Sequence, residues 1–179
     1  MFGTRGTAVT LGSLALVLSS LVWAPDSQAR PREQGAVTCT GNSVSRYDPP
    51  LTLTPQPTRV HAEVRYDSCT AHAGHTFAAT STFESLRTAA SCVSDSDALG
   101  VETVRYADGG RSVIAIESAT TVRDMGVLFT LQSGRVTEGR GAGHQVRRTV
   151  AAPPRQLPTD CLTSGIGGSN SGVQLEILP

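Results

Sequence analysis

Arg59-Val60-His61-Ala62-Glu63-Val64-Arg65-Tyr66 alternates without a break, with Val60, Ala62, Val64 and Tyr66 on one side and Arg59, His61, Glu63 and Arg65 on the other. Side chains of an extended chain point to opposite faces with period 2, so this octet reads as a strand with one buried face. The same alternation sets Phe77, Ala79, Ser81 and Phe83 on one face, and then Val104 with Tyr106 and Ile114 with Ile116. Further on it groups Val127, Phe129 and Leu131, and finally Val173, Leu175 and Ile177. Turn signals separate these runs: Asp48-Pro49-Pro50, Ala73-Gly74, Asp108-Gly109-Gly110, Ser133-Gly134, Gly139 to Gly143, Pro153-Pro154 and Gly167-Gly168. Asp108-Gly109-Gly110 predicts a tight hairpin over Tyr106–Arg111, because such turns need residues that tolerate positive φ. No segment sustains a 3.6-residue period, and Thr, Val and Ser are frequent where a helix would favour Ala, Leu and Glu. The chain therefore reads as all-β. An antiparallel meander of about seven to nine strands hides one face and its edges as a two-sheet β-sandwich or, alternatively, as a small closed meander barrel.

Ahead of the strands, residues 1–29 read as a secretory signal peptide. Arg5 precedes an apolar, small-residue run from Ala8 to Ala24, and Ser27-Gln28-Ala29 offers a small-x-small cleavage site. A membrane anchor would need roughly 18 uninterrupted apolar residues, and Thr10, Gly12, Ser13, Ser19 and Ser20 dilute this run, so no membrane span is expected after cleavage. Residues 30–36 are polar and aperiodic and are expected to be a disordered lead-in. Residues 37–179 then form a single all-β domain of ordinary size. Its charges balance, and all 15 basic residues of the full chain are Arg. No net field steers the domain toward nucleic acid.

The four cysteines, Cys39, Cys69, Cys92 and Cys161, all follow the leader, and an even count in an exported chain is the pattern of a disulfide framework. Three pairings are open. Cys39 and Cys69 lie on successive strand candidates, which favours Cys39–Cys69 with Cys92–Cys161.

With Cys39, Tyr47-Asp48-Pro49-Pro50-Leu51, Cys69, Cys92, Gly110, Gly134-x-Val136-x-x-Gly139-x-x-x-Gly143 and Cys161-Leu162, the chain resembles a set of small secreted actinobacterial proteins with four cysteines and Gly- and Thr-rich strands. The resemblance implies an all-β architecture and carries no assigned activity.

Several constellations have the residue types for chemistry. Cys69-x-x-His72-x-x-His75, with His61 on the preceding strand, has the spacing of metal ligands, but a Cys69 held in a disulfide is lost as a thiolate. His61, His72 and His75 are thus weak metal candidates, and no cofactor is expected. Asp95-x-Asp97-x-x-Gly100-x-Glu102 has the oxygen donors of a Ca²⁺ loop without the EF-hand spacing, and reads as a solvated loop. Gly167-Gly168-Ser169-Asn170-Ser171-Gly172 misses the nucleophile-elbow spacing, and His144 and Asp160 are unconstrained as triad partners. Glu63, Glu84, Glu102, Glu117 and Glu176 fall on the polar side of strand patterns, which gives no buried carboxyl pair for glycoside hydrolysis. Arg135, Arg140, Arg147, Arg148 and Arg155 oppose an acidic span over residues 84–108, and the two are expected to pair within the fold or to be solvated, with contact to an anionic wall polymer the other option. No catalytic residue is assigned. The sequence reads as a secreted binding or structural module for an extracellular ligand or the cell-wall surface. The alternatives are a protease inhibitor presenting Ser68 to Gly74, or a small hydrolase using His72, His144 or Ser169.

Overall fold

The computed structural model describes residues 36–71, 74–93, 98–124, 127–152 and 159–179. Residues 1–35, on which the expected signal peptide and most of the expected lead-in fall, and His72, Ala73, Asp95, Asp97, Pro153-Pro154 and Arg155 lie outside the described residues. Eight strands follow in order: β1 (Val37–Leu51), β2 (Gln56–Ala71), β3 (Thr76–Ala90), β4 (Gly100–Tyr106), β5 (Arg111–Asp124), β6 (Val127–Gly139), β7 (Gln145–Ala152) and β8 (Ile166–Ile177). Each pairs antiparallel with the next, and β8 pairs back onto β1, so of the two arrangements open to the sequence the chain adopts the closed meander barrel. Closure pairs the first strand with the last, so neither terminal strand is left as an open edge along that ladder.

Inside and outside follow the alternation. Val60, Ala62, Val64 and Tyr66 are buried in the lumen, and Arg59, Glu63 and Arg65 stand on the outer wall. This pattern of apolar inside and charged outside is the reverse of a barrel that faces lipid. At the Thr40/Gly41 bulge the β1 backbone comes so close to the Arg65 carbonyl that a Cβ on residue 41 would collide with it. The hairpin predicted over Tyr106–Arg111 is present, with Gly109 at φ 85° and Tyr106 N–H donating to the Gly110 carbonyl. Asp48-Pro49-Pro50 is not the turn itself. It lies at the end of β1, after a cis Asp48–Pro49 bond, where the ladder to β8 breaks between Arg46 and Leu51. Prolines have no N–H to give a ladder, and the reversal follows at residues 52–55.

Both expected disulfides are present. Cys39 and Cys69 face each other in the β1–β2 register, and Cys92 is joined to Cys161 across 69 residues. The two ends of the barrel differ. One end is filled by Val37, Val136, Val146, Leu175, Ile177 and the Cys39–Cys69 bridge. Arg140 caps this end, its guanidinium 4.4 Å from the Tyr106 ring centre, 5.6 Å from that of Phe77 and 2.6 Å from Asp108 Oδ2. The other end carries the connections β1–β2, β3–β4, β5–β6 and β7–β8, and there the filling changes.

Candidate functional site

On β6 the hydrophobic pattern points the wrong way. Val127, Phe129 and Leu131 were expected inward, yet Leu131 is 45% exposed and the lumen receives Leu128, Thr130 and Gln132 instead. The reason is visible on the neighbouring strand, where Arg148 stands opposite Gln132 in the β6–β7 register. Arg148 of β7 is buried, and its Nη1 donates to Gln132 Oε1 at 2.6 Å, while Gln132 Nε2 donates to the Ala98 carbonyl at 2.5 Å. A polar partner facing Arg148 is worth more than a third aliphatic side chain, because a buried cation without compensation is costly.

Arg148 also meets Glu102, whose side chain is 0% exposed. The expectation that Glu102 lies on the polar face of its strand, and that the span from Asp95 to Glu102 ends in a solvated loop, is therefore corrected: Glu102 stands on β4 and points into the lumen. Arg148 Nε lies 2.9 Å from Glu102 Oε2 but is not aligned for a hydrogen bond, so this contact is an ion pair. Glu102 Oε1 accepts from the Tyr66 hydroxyl at 2.7 Å and from Ser81 Oγ at 2.5 Å. The guanidinium of Arg148 also lies 4.9 Å from the Phe83 ring centre. Burial, followed by the Glu102 charge, pushes the Tyr66 phenol well above its ordinary range, so it stays a neutral donor.

Above this layer opens a cavity of about 160 Å³. Arg148, Gln132 and Phe83 form its floor. Val60, Ala62, Leu128 and Val150 supply apolar wall, and Ser43, Ser45, Tyr47, Ser169 and Ser171 supply hydroxyls. The Tyr47 hydroxyl and Ser169 Oγ are 2.7 Å apart. Arg87, 7% exposed, is a second guanidinium in the lining, and burial pulls its pKa down. The volume is close to that of an engineered cavity that admits one benzene ring, about 150 Å³.

The mouth is tied from three sides. The Cys92–Cys161 bridge joins the β3–β4 connection to the 3-10 turn Thr159–Leu162 between β7 and β8. Cys92 N–H donates to the Thr52 carbonyl at 2.8 Å, which adds the β1–β2 turn. Leu53, Val93, Leu99 and Leu162 on these connections are exposed, so the rim is partly apolar. β4 pairs with β3 only at residues 79–84, and Ala98 and Leu99 bind across the wall beyond it through Gln132 and Ser85.

The other candidates disperse. Cys69 is disulfide-bonded, His61 stands on the outer wall between Glu63 and Glu84, and His75 sits exposed at the β2–β3 turn. Ser68 to Ala71 is not a presented loop but the end of β2, paired to β1 on one side and, through Cys69 and Thr70, to β3 on the other. Gly167 to Gly172 is strand β8 rather than a loop. His144 bonds the Leu178 carbonyl, and Leu178 is nine residues, roughly 30 Å of strand, from Ser169. Of the basic and acidic spans, Arg148 pairs with Glu102 and Arg140 with Asp108. Gln132 and Arg87 were missed by the sequence reading. For Arg87 the available signal was its place on the face of β3 that Phe77, Ala79 and Phe83 mark as inward, whereas Gln132 lies opposite the apolar face of its own strand and gave no such signal. The chain matches no known family model, no curated protein and no solved structure.

Proposed function

We propose that the protein is a secreted binding protein that holds one small molecule in the open half of its barrel. The observation that carries this reading is the cavity above the Glu102–Arg148–Gln132 layer: polar side chains line one end of a lumen that is apolar at the other. An eight-stranded barrel of this kind can fill its interior with side chains or hold one small ligand. Apolar walls with a few convergent polar groups are the usual make-up of a small-molecule site. The two disulfides suit an extracellular carrier, and the leader supports export.

The test is a screen of small neutral and charged ring compounds against the isotope-labelled mature protein by NMR. Binding is expected to shift Phe83, Gln132 and Val150 while leaving Val136 and Val146 at the closed end in place. Ala62→Leu, which puts bulk into the cavity wall, is expected to abolish binding with the fold intact. Shifts confined to the outer wall, or an unaffected Ala62→Leu protein, would refute luminal binding.

A further inference from the structure

The chemistry of the ligand follows from the hydroxyls of the cavity wall, and this inference rests on the luminal reading above. β1 and β8 meet at the seam that closes the barrel, and there Ser43 faces Ser171 and Ser45 faces Ser169 in the register. All four serines line the cavity, with Tyr47 next on the same face of β1. One wall is therefore a double row of hydroxyls, and their partners are unequally supplied. Ser169 Oγ is 2.7 Å from the Tyr47 hydroxyl, and Ser43 Oγ reaches the Ser171 carbonyl at 3.5 Å. Ser45 Oγ and Ser171 Oγ make no hydrogen bond among the described residues, although Ser171 is only 8% exposed. A buried hydroxyl without a partner is costly, and alanine at the same position would avoid the cost. The other strong polar groups of the cavity are already in use. Arg148 is held by Glu102 and Gln132, Gln132 by the Ala98 carbonyl, and Arg87 is engaged within the protein.

We propose that the natural ligand is an uncharged compound the size of one six-membered ring, with two hydroxyl or carbonyl oxygens on one side. Those oxygens take the hydroxyls of Ser45 and Ser171, and the rest of the ring lies against Phe83, Val60 and Leu128. Ser45 and Ser171 are diagonal neighbours across the seam, roughly 7 Å apart, and a hydroxyl bond reaches about 2.8 Å from each. The gap that remains suits two oxygens on neighbouring or next-neighbouring ring carbons. A serine hydroxyl both donates and accepts, so it can bond a hydroxyl or a carbonyl oxygen. Phe83 on β3 and Leu128 on β6 stand at least two strands from the seam, so apolar wall faces hydroxyl wall. Thr130 of β6, likewise unbonded among the described residues, adds one hydroxyl across the ring. The charge of the floor is closed within the Glu102–Arg148 pair, so the floor offers an ion no counter-charge in return for its lost hydration.

The experiment compares benzene, phenol, resorcinol and benzoate, which share a ring and differ in oxygens and charge, by NMR titration of the mature protein at neutral pH. Affinity is expected to rise about five- to tenfold with each hydroxyl from benzene to phenol to resorcinol, the worth of one net hydrogen bond. Benzoate is expected to bind less tightly than resorcinol. Ser45→Ala and Ser171→Ala should each weaken resorcinol about five- to tenfold and leave benzene unchanged. Their urea midpoints should match or exceed that of the wild-type protein, because neither hydroxyl has a described partner to lose. Resorcinol no tighter than benzene, or alanine variants that weaken both compounds equally or neither, would overturn the hydroxyl assignment and leave luminal binding standing. Benzoate tighter than resorcinol would overturn the uncharged assignment in the same way. If none of the four moves the luminal resonances up to its solubility limit, the assignment fails, and the other compounds of the wider screen decide luminal binding separately.

Discussion

Replacing Glu102 by Gln removes the only described carboxylate within the lumen while keeping its shape. Glu102 is fully buried, and three groups converge on its two oxygens: Tyr66, Ser81 and Arg148. In Glu102→Gln the amide oxygen can still accept from Tyr66 and Ser81, but the guanidinium of Arg148, whose side chain is 3% exposed, loses its counter-charge. Breaking one partner of a buried ion pair costs about 3 to 5 kcal/mol, equivalent to a fall in Tm of roughly 10 to 15 °C for a domain of this size. Arg148→Met strands the carboxylate instead and should cost a similar amount. The double variant Glu102→Gln/Arg148→Met leaves no buried charge in this layer, so it should be no less stable than the worse single variant. The coupling energy is then at least the smaller of the two single losses, about 3 kcal/mol. The assay is urea unfolding with disulfides intact, followed by far-ultraviolet circular dichroism and tyrosine fluorescence. The single Trp of the chain, Trp23, lies within residues 1–29, which the protein used in this assay omits, so the signal comes from Tyr66 and Tyr106 in the core and from half-buried Tyr47. Additive losses in the double variant, or a Glu102→Gln protein destabilised by less than about 1 kcal/mol, would refute the reasoning. Either result would mean that water reaches this layer and screens the pair.

Two further outcomes follow from the same layers. Burial raises the folded-state pKa of Tyr66 and Tyr106 above the unfolded value, so their contribution is fully present below pH about 10 and is lost as pH rises beyond it. The urea midpoint should fall steeply from pH 9.5 to 11, and less steeply in Tyr66→Phe; a flat profile in the wild-type protein would contradict the burial. Opening Cys92–Cys161 with paired Ala substitutions should cost about 4 kcal/mol by loop entropy and also weaken ligand binding, because the bridge ties the mouth. The paired change at Cys39 and Cys69 should cost roughly 3.5 kcal/mol and leave ligand affinity unchanged, since that bridge sits at the closed end. Equal effects on affinity would remove the distinction between the two ends.

How far the fold could be read from the residues depended on what each strand buries. Arg59 to Tyr66, Phe77 to Phe83 and Val173 to Ile177 place their apolar faces inward as their alternation predicts, because those faces meet other apolar side chains. Sandwich and barrel share that alternation, and they differ in whether the last strand meets the first. That contact, Val37 beside Ile177 and Cys39 beside Leu175, joins residues about 140 apart, and no local pattern encodes it. The pairing of the cysteines was legible because a hairpin brings Cys39 and Cys69 together and leaves the other two. The cavity was not. Thr130, Gln132 and Arg148 read as outward residues by polarity, and Glu102 as one more solvated acid; Gln132 meets Arg148 on the adjacent strand, and only across the closed barrel does Arg148 meet Glu102.

The failures of patterning share one location, and that is an argument about function. Along β6 the lumen receives Val136 near the closed end and then Gln132 and Thr130; along β7 it receives Val146 and then Arg148. Along β8 the sequence inward is Ile177, Leu175 and Val173 and then Ser171; along β1 it is Val37 and Cys39 and then Ser43. Four neighbouring strands therefore turn polar at the same level, away from the Cys39–Cys69 end, and on β6 and β7 apolar Leu128 and Val150 follow that layer toward the mouth. A barrel selected only for stability has no reason to do this, because a buried polar group costs about 1 to 3 kcal/mol whenever it lacks a partner, and an apolar residue of similar size would avoid that risk. Loss of patterning at one level of several neighbouring strands marks where stability yields to another requirement. Here that level surrounds a cavity beneath a mouth braced by its own disulfide, which is the arrangement needed to keep a polar-headed small molecule in place.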